Sequence, residues 1–271
     1  MAARTAKKKT ATTRKRLYAA PALEKGLDVL ELLSREEQGL TVSEIARRLE
    51  RSVSELFRML VVLEQRGYIH APPESDRYRL TLKLFSLAHR FRPLQRLTSV
   101  ATPLMRALAF KLEQSCHLVI YYEGKGHVVA QQDSPSERIL SIRLGAEVPL
   151  VDSCSGHVLL AYADTESRGA MLAKIPGYHR KPGKRELEAM VKRVSERGCE
   201  VISSAQIQGV TDIGYPVFDH TGTCIAALVV PFFFYLDGSH PVDVASAQVL
   251  VRDAAGELSA ALGREAPPTT D

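Results

Sequence analysis

The order of apolar and polar residues in the first third of the chain predicts three short helices followed by a β-hairpin. Four leucines between Leu23 and Leu33 recur at intervals of three residues or four, which is the spacing of an amphipathic helix. Two further apolar stripes follow Thr41 and Ser52, and Gly67 is expected to end the second because glycine readily adopts a positive φ. Two short strand-like segments around a polar loop come next and predict the hairpin.

Two capping-box sequences mark the starts of the second and third predicted helices. Thr41 with Glu44, and Ser52 with Glu55, each pair a hydroxyl with a carboxylate three residues later, so that both can satisfy amides at the start of a helix. Two short helices joined by a tight turn are the geometry that places the second helix in the major groove of DNA. The sequence therefore predicts a winged helix-turn-helix DNA-binding domain over residues 20–81.

A change to alternating apolar and polar residues after residue 115 predicts a second domain over residues 97–263, joined to the first by a linker helix over 82–96. A helix is expected to open near Ser153 or Ser155, and residues 264–271 are expected to form a loose tail. Mostly antiparallel strands flanked by helices make an α+β domain with a sheet of about six strands. The expected strands are 118–122, 127–131, 139–144, 199–203, 210–218 and 224–232, and the later expected helices are 184–197 and 241–262.

The net charge of +5 is unevenly distributed along the chain. The first 20 residues contain seven Lys or Arg and neither Asp nor Glu, so the remaining residues carry a net charge of −2. Such a composition cannot bury enough apolar surface to fold, and a disordered basic tail is expected over residues 1–19. The tail is either a solvated leader or a non-specific contact to DNA phosphates, and the two interpretations are compatible.

Composition and missing motifs argue against several classes of protein. The chain has no apolar run of about 18 residues, as a membrane helix needs, and no apolar stretch of a secretory signal. Four widely spaced cysteines without a CxxC pair are not typical of a disulfide scaffold or a zinc finger, and they fit a reducing cytoplasm. No Ser-His-Asp pattern or Gly-rich nucleotide motif is present, and we therefore expect no enzyme activity, cofactor or membrane partner.

A series of short motifs in a fixed order and spacing covers most of the chain from about residue 20 to residue 262. In the first domain they are Leu27–Leu33, Ser43–Ala46, Ser54–Leu60, Gly67–Ile69 and Tyr78–Leu84. In the second domain they are Arg143–Leu150, Ser155–Ala161, Gly209–Val210, Pro216–Asp219 and Ala226–Leu228.

Together these motifs resemble the IclR family of bacterial transcription regulators. The resemblance implies an N-terminal winged helix-turn-helix and a C-terminal GAF-like or profilin-like antiparallel sheet domain that binds a small molecule. It also implies binding to double-stranded DNA as a homodimer or a dimer of dimers. Two departures from the family pattern concern the pocket. Ser203–Gln206 replaces a stretch that usually carries an acidic pair, and His157 follows Gly156 where the family often has Lys.

Polar residues around the predicted helix-turn-helix are the candidates for DNA contact. Ser54 and Arg58 are expected to meet base edges, since the first turn of a recognition helix faces the groove and Arg can bind guanine through two hydrogen bonds. Ser52 and Glu55 more simply cap the helix. The remaining arginines either hold phosphates or form a solvated surface, and the one on the hairpin is a candidate for the backbone or the minor groove. The DNA-binding candidates are Arg47, Arg48, Arg51, Ser52, Ser54, Glu55, Arg58 and Arg77.

The best candidate for an effector site is the helix start around Ser153–Gly156, because free amides and the helix dipole attract a carboxylate or phosphate. By resemblance, Cys154 and Ser155 match family positions whose backbone meets the ligand, and Asp212, Val229 and Pro231 match other ligand-facing positions of the family. Cys116, His117 and Gln131 lie on adjacent predicted strands and are added as further candidates to line the same cavity, although core packing is the competing interpretation for Cys116 and His117. Family habit suggests a small organic acid as the effector. The effector candidates are Cys116, His117, Gln131, Ser153, Cys154, Ser155, Gly156, Asp212, Val229 and Pro231.

Two other functions remain as alternatives, both built on Cys154. A thiol at a helix start can have a stabilised thiolate, which would suit a GAF-type thiol enzyme or a redox- or metal-sensing regulator. No second cysteine is near in sequence, and the spacing of the histidines, cysteines and Asp212 gives no metal site, so no metal is expected. The leading prediction is a sequence-specific transcriptional regulator whose DNA binding is controlled by a small-molecule effector.

Overall fold

The computed structural model describes residues 20–89, 92–235 and 242–264. The predicted basic tail, residues 1–19, lies outside the described residues, as does nearly all of the predicted loose tail, 264–271. The chain divides into two compact units, which are described separately below.

The N-terminal unit is three helices followed by a hairpin and a fourth helix. The apolar stripes of the first three helices meet in one core, where Val29, Ile45, Leu56 and Leu60 are fully buried. The winged helix-turn-helix predicted from the sequence is therefore confirmed. The elements are α1 (Pro21–Leu33), α2 (Val42–Arg48), α3 (Val53–Gln65), β1 (Ile69–His70), β2 (Arg79–Leu80) and α4 (Lys83–His89).

Both predicted capping boxes form, one at the start of α2 and one at the start of α3. The hydroxyl of Thr41 accepts from the amide of Glu44, and that of Ser52 accepts from the amide of Glu55. In the wing, β1 and β2 are antiparallel, with Ile69 opposite Leu80. Because the capping side chains of Thr41 and Ser52 are hydrogen-bonded within the domain, they hold the starts of α2 and α3 in place.

The C-terminal unit is a six-stranded sheet in the order β5-β4-β3-β8-β7-β6, antiparallel at every pairing. Helices α5 and α9 cover one face, and α6 and α8 cover the other. The predicted α+β class is confirmed. The elements are α5 (Arg92–Leu112), β3 (Cys116–Tyr122), β4 (Lys125–Gln132), β5 (Glu147–Pro149), α6 (Cys154–Tyr162), α7 (Thr165–Ala173), α8 (Lys184–Arg197), β6 (Glu200–Ser203), β7 (Val210–Phe218), β8 (Cys224–Phe233) and α9 (Val244–Ala261).

The strand expected over residues 139–144 does not form. Ile139 and Leu144 are more than half exposed, and the segment pairs with no strand among the described residues. The edge of the sheet is instead β5, which pairs with the start of β4. Helix α5 begins at Arg92, within the residues expected to form the linker helix, and α7 was not expected from the sequence at all.

Candidate DNA-binding and effector sites

Helix α3 buries one side and presents the other to solvent. Leu56 and Leu60 are fully buried, whereas Ser54, Phe57 and Arg58 are exposed and lie on one face because they are separated by three or four residues. The same face continues to Val62, which is about half exposed. The polar leading edge expected from the sequence is therefore at the surface of the domain, and Phe57 adds an apolar group that the sequence analysis did not select.

The side chains of Ser52 and Glu55 already have hydrogen-bond partners within the N-terminal domain. The carboxylate of Glu55 accepts from the amide of Ser52 at 3.0 Å and from Lys25 Nζ at 2.9 Å. The hydrogen bond from Lys25, followed by those from Ser52, lowers the pKa of Glu55 to about 2. These contacts are the ones expected if Ser52 and Glu55 cap the helix, which was the interpretation competing with DNA contact.

The five predicted arginines fall into two groups. Arg47 and Arg58 are exposed and form no ion pair with any described residue. The other three form ion pairs with carboxylates of their own domain. Arg77 also donates a hydrogen bond to the carbonyl oxygen of Gly39 at 3.0 Å. The ion pairs are Arg48 with Glu36, Arg51 with Asp28 at 3.2 Å, and Arg77 with Glu44 at 2.9 Å.

A cleft opens on the sheet face covered by α6, at the start of that helix. Its empty volume is about 450 Å³, including space open to solvent. The structure brings seven of the ten predicted effector residues to this cleft. They are His117, Ser153, Cys154, Ser155, Asp212, Val229 and Pro231.

The start of α6 provides hydrogen-bond donors to the cleft. The hydroxyl of Ser153 caps the helix by accepting from the amide of Gly156 at 3.0 Å. The amides of Cys154 and Ser155 have no acceptor among the described residues. These two donors and the dipole of the helix behind them favour an anionic group.

His117 and Asp212 are the titratable side chains on the sheet side of the cleft. His117 is 6% exposed, and none of the described residues forms a hydrogen bond with its ring. Burial lowers its pKa to about 4, so the ring is neutral at neutral pH. Burial raises the pKa of Asp212, and a hydrogen bond from Ser204 opposes that change. The cleft therefore pairs donors at the helix with polar groups that can recognise a hydroxyl.

Three predicted effector residues do not line the cleft. Cys116 lies on the opposite face of the sheet, where its thiol donates to the carbonyl of Met105 at 3.5 Å. Gln131 is paired with His117 across the strands, but its amide donates to the hydroxyl of Ser141 at 2.6 Å. Gly156 lies against the backbone of the residue-150 loop and provides close packing rather than a ligand contact.

Six further residues line the cleft that the sequence analysis did not select. Most of them come from loops or from the short strand β5, where no periodic pattern marks which side chains face inward. The one signal for them was the unusual composition of the stretch from Ser203 to Gln206, which departs from the family pattern. The additional residues are Ile142, Val148, Asp152, Ser204, Gln206 and Ile207.

The geometry of Cys154 does not support thiol chemistry. Its sulfur is buried and donates to the backbone carbonyls of Glu200 at 3.4 Å and Asp212 at 3.7 Å. Burial, with the nearby carboxylates, raises its pKa well above the usual value, which disfavours the reactive thiolate. Within the described residues, no group of three or more His, Cys, Asp or Glu side chains has metal-binding geometry. Among the described helices, none combines the length and apolar character required to cross a membrane.

Comparisons with known proteins place both domains in one family. The model of the IclR helix-turn-helix domain matches residues 22–73, and the model described as bacterial transcriptional regulator IclR C-terminal matches residues 94–260. The transcriptional regulator KdgR of Escherichia coli is 30% identical over 73% of this chain and 76% of its own length. KdgR of Dickeya chrysanthemi is 29% identical over 73% of this chain, which spans 66% of that relative.

A solved structure gives the same result for the fold. The crystal structure of an IclR homologue from Microbacterium hydrocarbonoxydans, complexed with 4-hydroxybenzoate, has a TM-score of 0.72 at 24% identity and covers 89% of this chain and 98% of its own. The family models together cover most of the described residues, and the relatives are regulators rather than enzymes. The chain belongs to the IclR family of bacterial transcriptional regulators, which bind DNA through the N-terminal domain and carry a C-terminal effector-binding domain.

Proposed function

We propose that this regulator reads its operator with the exposed face of α3 and is controlled by a small organic acid bound in the cleft at α6. In this proposal residues 20–81 form the DNA-binding domain, 82–96 the linker and 97–263 the effector domain. The carrying observation is that Ser54, Phe57 and Arg58 share an exposed face.

The chemistry of that face suits direct contact with bases. Arg58, unpaired among the described residues, presents a guanidinium for the two acceptors of guanine, and Phe57 presents an apolar surface for the methyl group of thymine. Arg47, also exposed, is suited to a phosphate. The ion-paired Arg48, Arg51 and Arg77 would have to exchange a carboxylate for a phosphate, so they are secondary candidates.

Two or four copies of the chain are proposed to bind one operator, as a homodimer or as a dimer of dimers. A single α3 reads only a few base pairs, and a symmetric pair doubles the sequence that is read. The bacterial chromosome lies in the cytoplasm, and we propose that the protein acts there.

The cleft favours a hydroxylated carboxylic acid. The amides of Cys154 and Ser155 suit the carboxylate, while the neutral ring of His117 and the carboxyl of Asp212 suit a hydroxyl at the other end of the ligand. The related protein from Microbacterium hydrocarbonoxydans is complexed with 4-hydroxybenzoate, a molecule of this class, which supports the choice.

DNA binding is tested by fluorescence anisotropy with the duplex upstream of the protein's own coding region and an unrelated duplex as competitor. We expect Arg58→Ala to weaken specific binding by about fivefold to 150-fold, because a two-bond Arg–guanine contact contributes about 1–3 kcal/mol. Arg185→Ala is the matched control, since it also removes one exposed positive charge but lies on α8. Equal affinities of the two variants, or no preference over the competitor at any salt concentration, would contradict the assignment of α3.

Effector binding is tested by calorimetric titration with 4-hydroxybenzoate, benzoate and 4-hydroxybenzyl alcohol. The proposal expects the hydroxylated acid to bind most tightly, because the other two lack one of the recognised groups. His117→Phe should reduce the preference for the hydroxyl while keeping the benzoate affinity. Equal binding of the alcohol and the acid would show that the helix start does not select a carboxylate.

A further inference from the structure

His157 projects from α6 into a second cavity, which lies beside α8 and shares Asp152 with the effector cleft; its empty volume, including space open to solvent, is about 800 Å³. Its Nδ1 is 2.8 Å from a carboxylate oxygen of Glu200, and its Nε2 is 2.7 Å from the carbonyl oxygen of Val151. Both contacts are hydrogen bonds of normal length, and the side chain is 16% exposed. The ring thus joins the start of β6 to the loop that precedes α6.

Both partners of the ring are acceptors. A carbonyl oxygen only accepts, and a carboxylate accepts when it is ionised. Burial raises the pKa of Glu200, but hydrogen bonds from His157 and Arg193 hold it at about 2, so the carboxylate is ionised across the neutral range. A ring with two acceptors needs two N–H donors, and an imidazole has two only when it is protonated.

The charges around the ring fit a protonated imidazole. Arg180 is held by Asp152 at 2.8 Å and by Glu186 at 2.6 Å, and Arg193 is held by Glu200 at 2.5 Å. Three carboxylates therefore face two guanidinium groups, and the protonated ring supplies the third positive charge. The groups come from every element around the cavity: Asp152 from the loop before α6, Arg180 from the segment before α8, Glu186 and Arg193 from α8, and Glu200 from β6.

The ring is connected to the effector cleft through one short loop. Val151, whose carbonyl accepts from Nε2, is followed directly by Asp152 and Ser153, and both of these line the cleft. Ser153 is also the cap that orients the free amides of α6. A neutral ring has a single N–H, so deprotonation must break either the contact to Glu200 or the contact to Val151.

We propose that His157 is a positioning residue whose protonated ring holds the Val151–Ser153 loop in place, so that order at the effector cleft depends on pH. The role in effector binding rests on the function proposed above. The role in holding the loop does not, because it concerns contacts within the unliganded protein. As the pH rises and the ring loses its proton, the loop is expected to loosen and the helix start to lose its alignment.

Nuclear magnetic resonance of the full chain labelled with ¹⁵N-histidine tests the protonation state directly. The signal of His157 is identified by its loss in His157→Gln. We expect both ring nitrogens to carry protons at neutral pH, and Glu200→Gln to move the loss of the second proton to lower pH. A neutral His157 with one N–H at neutral pH overturns the proposal.

Hydrogen exchange followed by mass spectrometry tests the effect on the loop. As the pH rises through the loss of the second ring proton seen by magnetic resonance, the protection of the Gly156 and His157 amides, which both donate to Ser153, should fall about tenfold after correction for the intrinsic rate. His157→Gln should show low protection at every pH, and His157→Lys, which stays charged, should show no such fall. Helix α7 serves as the internal control, since it should be unaffected. A parallel fall in wild type and His157→Lys would leave only a structural role for the residue and sink the inference.

A titration with 4-hydroxybenzoate at both ends of the same pH range separates the two proposals. If the acid binds, its affinity should fall with pH in the wild type more steeply than in His157→Lys. If it does not bind at any pH, the proposed ligand class fails, while the exchange result still decides the role of His157. Equal pH dependence in the two proteins would mean that the loop does not control the cleft.

Discussion

The substitution Gly156→Ala should destabilise the C-terminal unit, because α6 passes against the backbone of the loop before it. A Cβ at this position would lie 2.1 Å from the carbonyl oxygen of Leu150 and 2.5 Å from its carbonyl carbon, whereas real Cβ contacts stay above about 3.0 Å. The obstacle is backbone rather than a flexible side chain, so helix and loop must separate. Overpacking of this kind costs about 1–3 kcal/mol, and the gain in helix propensity offsets up to about 1 kcal/mol.

We expect a net loss of about 1–2 kcal/mol, which corresponds to a fall of roughly 2–8 °C in the unfolding midpoint for a unit of this size. Gly169→Ala is the matched control, because Gly169 lies inside α7 and has nothing within 4 Å of a built Cβ. It should stabilise the protein by up to about 1 kcal/mol. The chain has no Trp, so unfolding is followed by calorimetry and by far-ultraviolet circular dichroism.

We predict opposite shifts of the unfolding midpoint for the two variants, although both replace glycine with alanine. If Gly156→Ala unfolds at the wild-type midpoint, or if both variants shift the midpoint in the same direction, the close contact between α6 and Leu150 does not limit stability. A crystal structure of a stable Gly156→Ala variant with an unmoved loop would refute the packing argument outright.

Four further outcomes follow from individual residues. The pKa of Glu200 is held near 2 rather than 4.5, so wild type should lose up to about 3 kcal/mol of stability as the pH falls through this window, and urea unfolding of Glu200→Gln should lack that loss. The pKa of His117 is lowered from 6.5 to about 4, so the wild type should also lose stability as the pH falls between these values; urea unfolding at stepped pH should show no such difference in His117→Gln. Cys154 should resist alkylation in the native protein at neutral pH and react only after unfolding, and fast labelling followed by mass spectrometry would contradict its burial. Ser52→Ala should lower the unfolding free energy of the N-terminal domain by about 1 kcal/mol through the lost cap, and an unchanged midpoint would refute that role.

Local patterns predicted the first domain well because each of its elements carries its own signal. The capping boxes that begin at Thr41 and Ser52 form as expected, and the apolar stripe of α3 identifies its buried face. Phe57 was not selected because the DNA-binding candidates were sought among polar residues. On this helix, however, the side chain of Phe57 is exposed to solvent. A residue that is both apolar and exposed on a helix of known orientation is a signal that pattern alone does not give.

The second domain shows where local patterns stop. The alternation at residues 139–144 resembles a strand, but a strand needs a partner, and it is the shorter β5 that pairs with the start of β4. Helix α7 was missed because among its residues only Met171 is buried, so it has no strong apolar stripe. The cleft residues from Ser204 to Ile207 lie on a loop, where side-chain direction depends on the path of the backbone rather than on a period.

The hydrogen bonds that a polar side chain already forms indicate whether it stabilises the fold or is available to bind DNA or the effector. At the start of α3, Ser52 is satisfied by its own domain while Arg58 has no partner among the described residues. His117 and His157 differ in the same way, since both ring nitrogens of His157 are hydrogen-bonded, whereas the ring of His117 has no partner among the described residues. A satisfied group contributes to stability, and its removal should lower the unfolding midpoint with or without a ligand. A polar group without a partner in the protein gains one only when DNA or the effector binds. Variants of Arg58 and His117 should therefore change binding more than they change the unfolding midpoint at neutral pH. If Ser52→Ala instead abolished DNA binding with no loss of stability, the satisfied groups would be the recognition groups, and the assignment of both sites would have to be reversed.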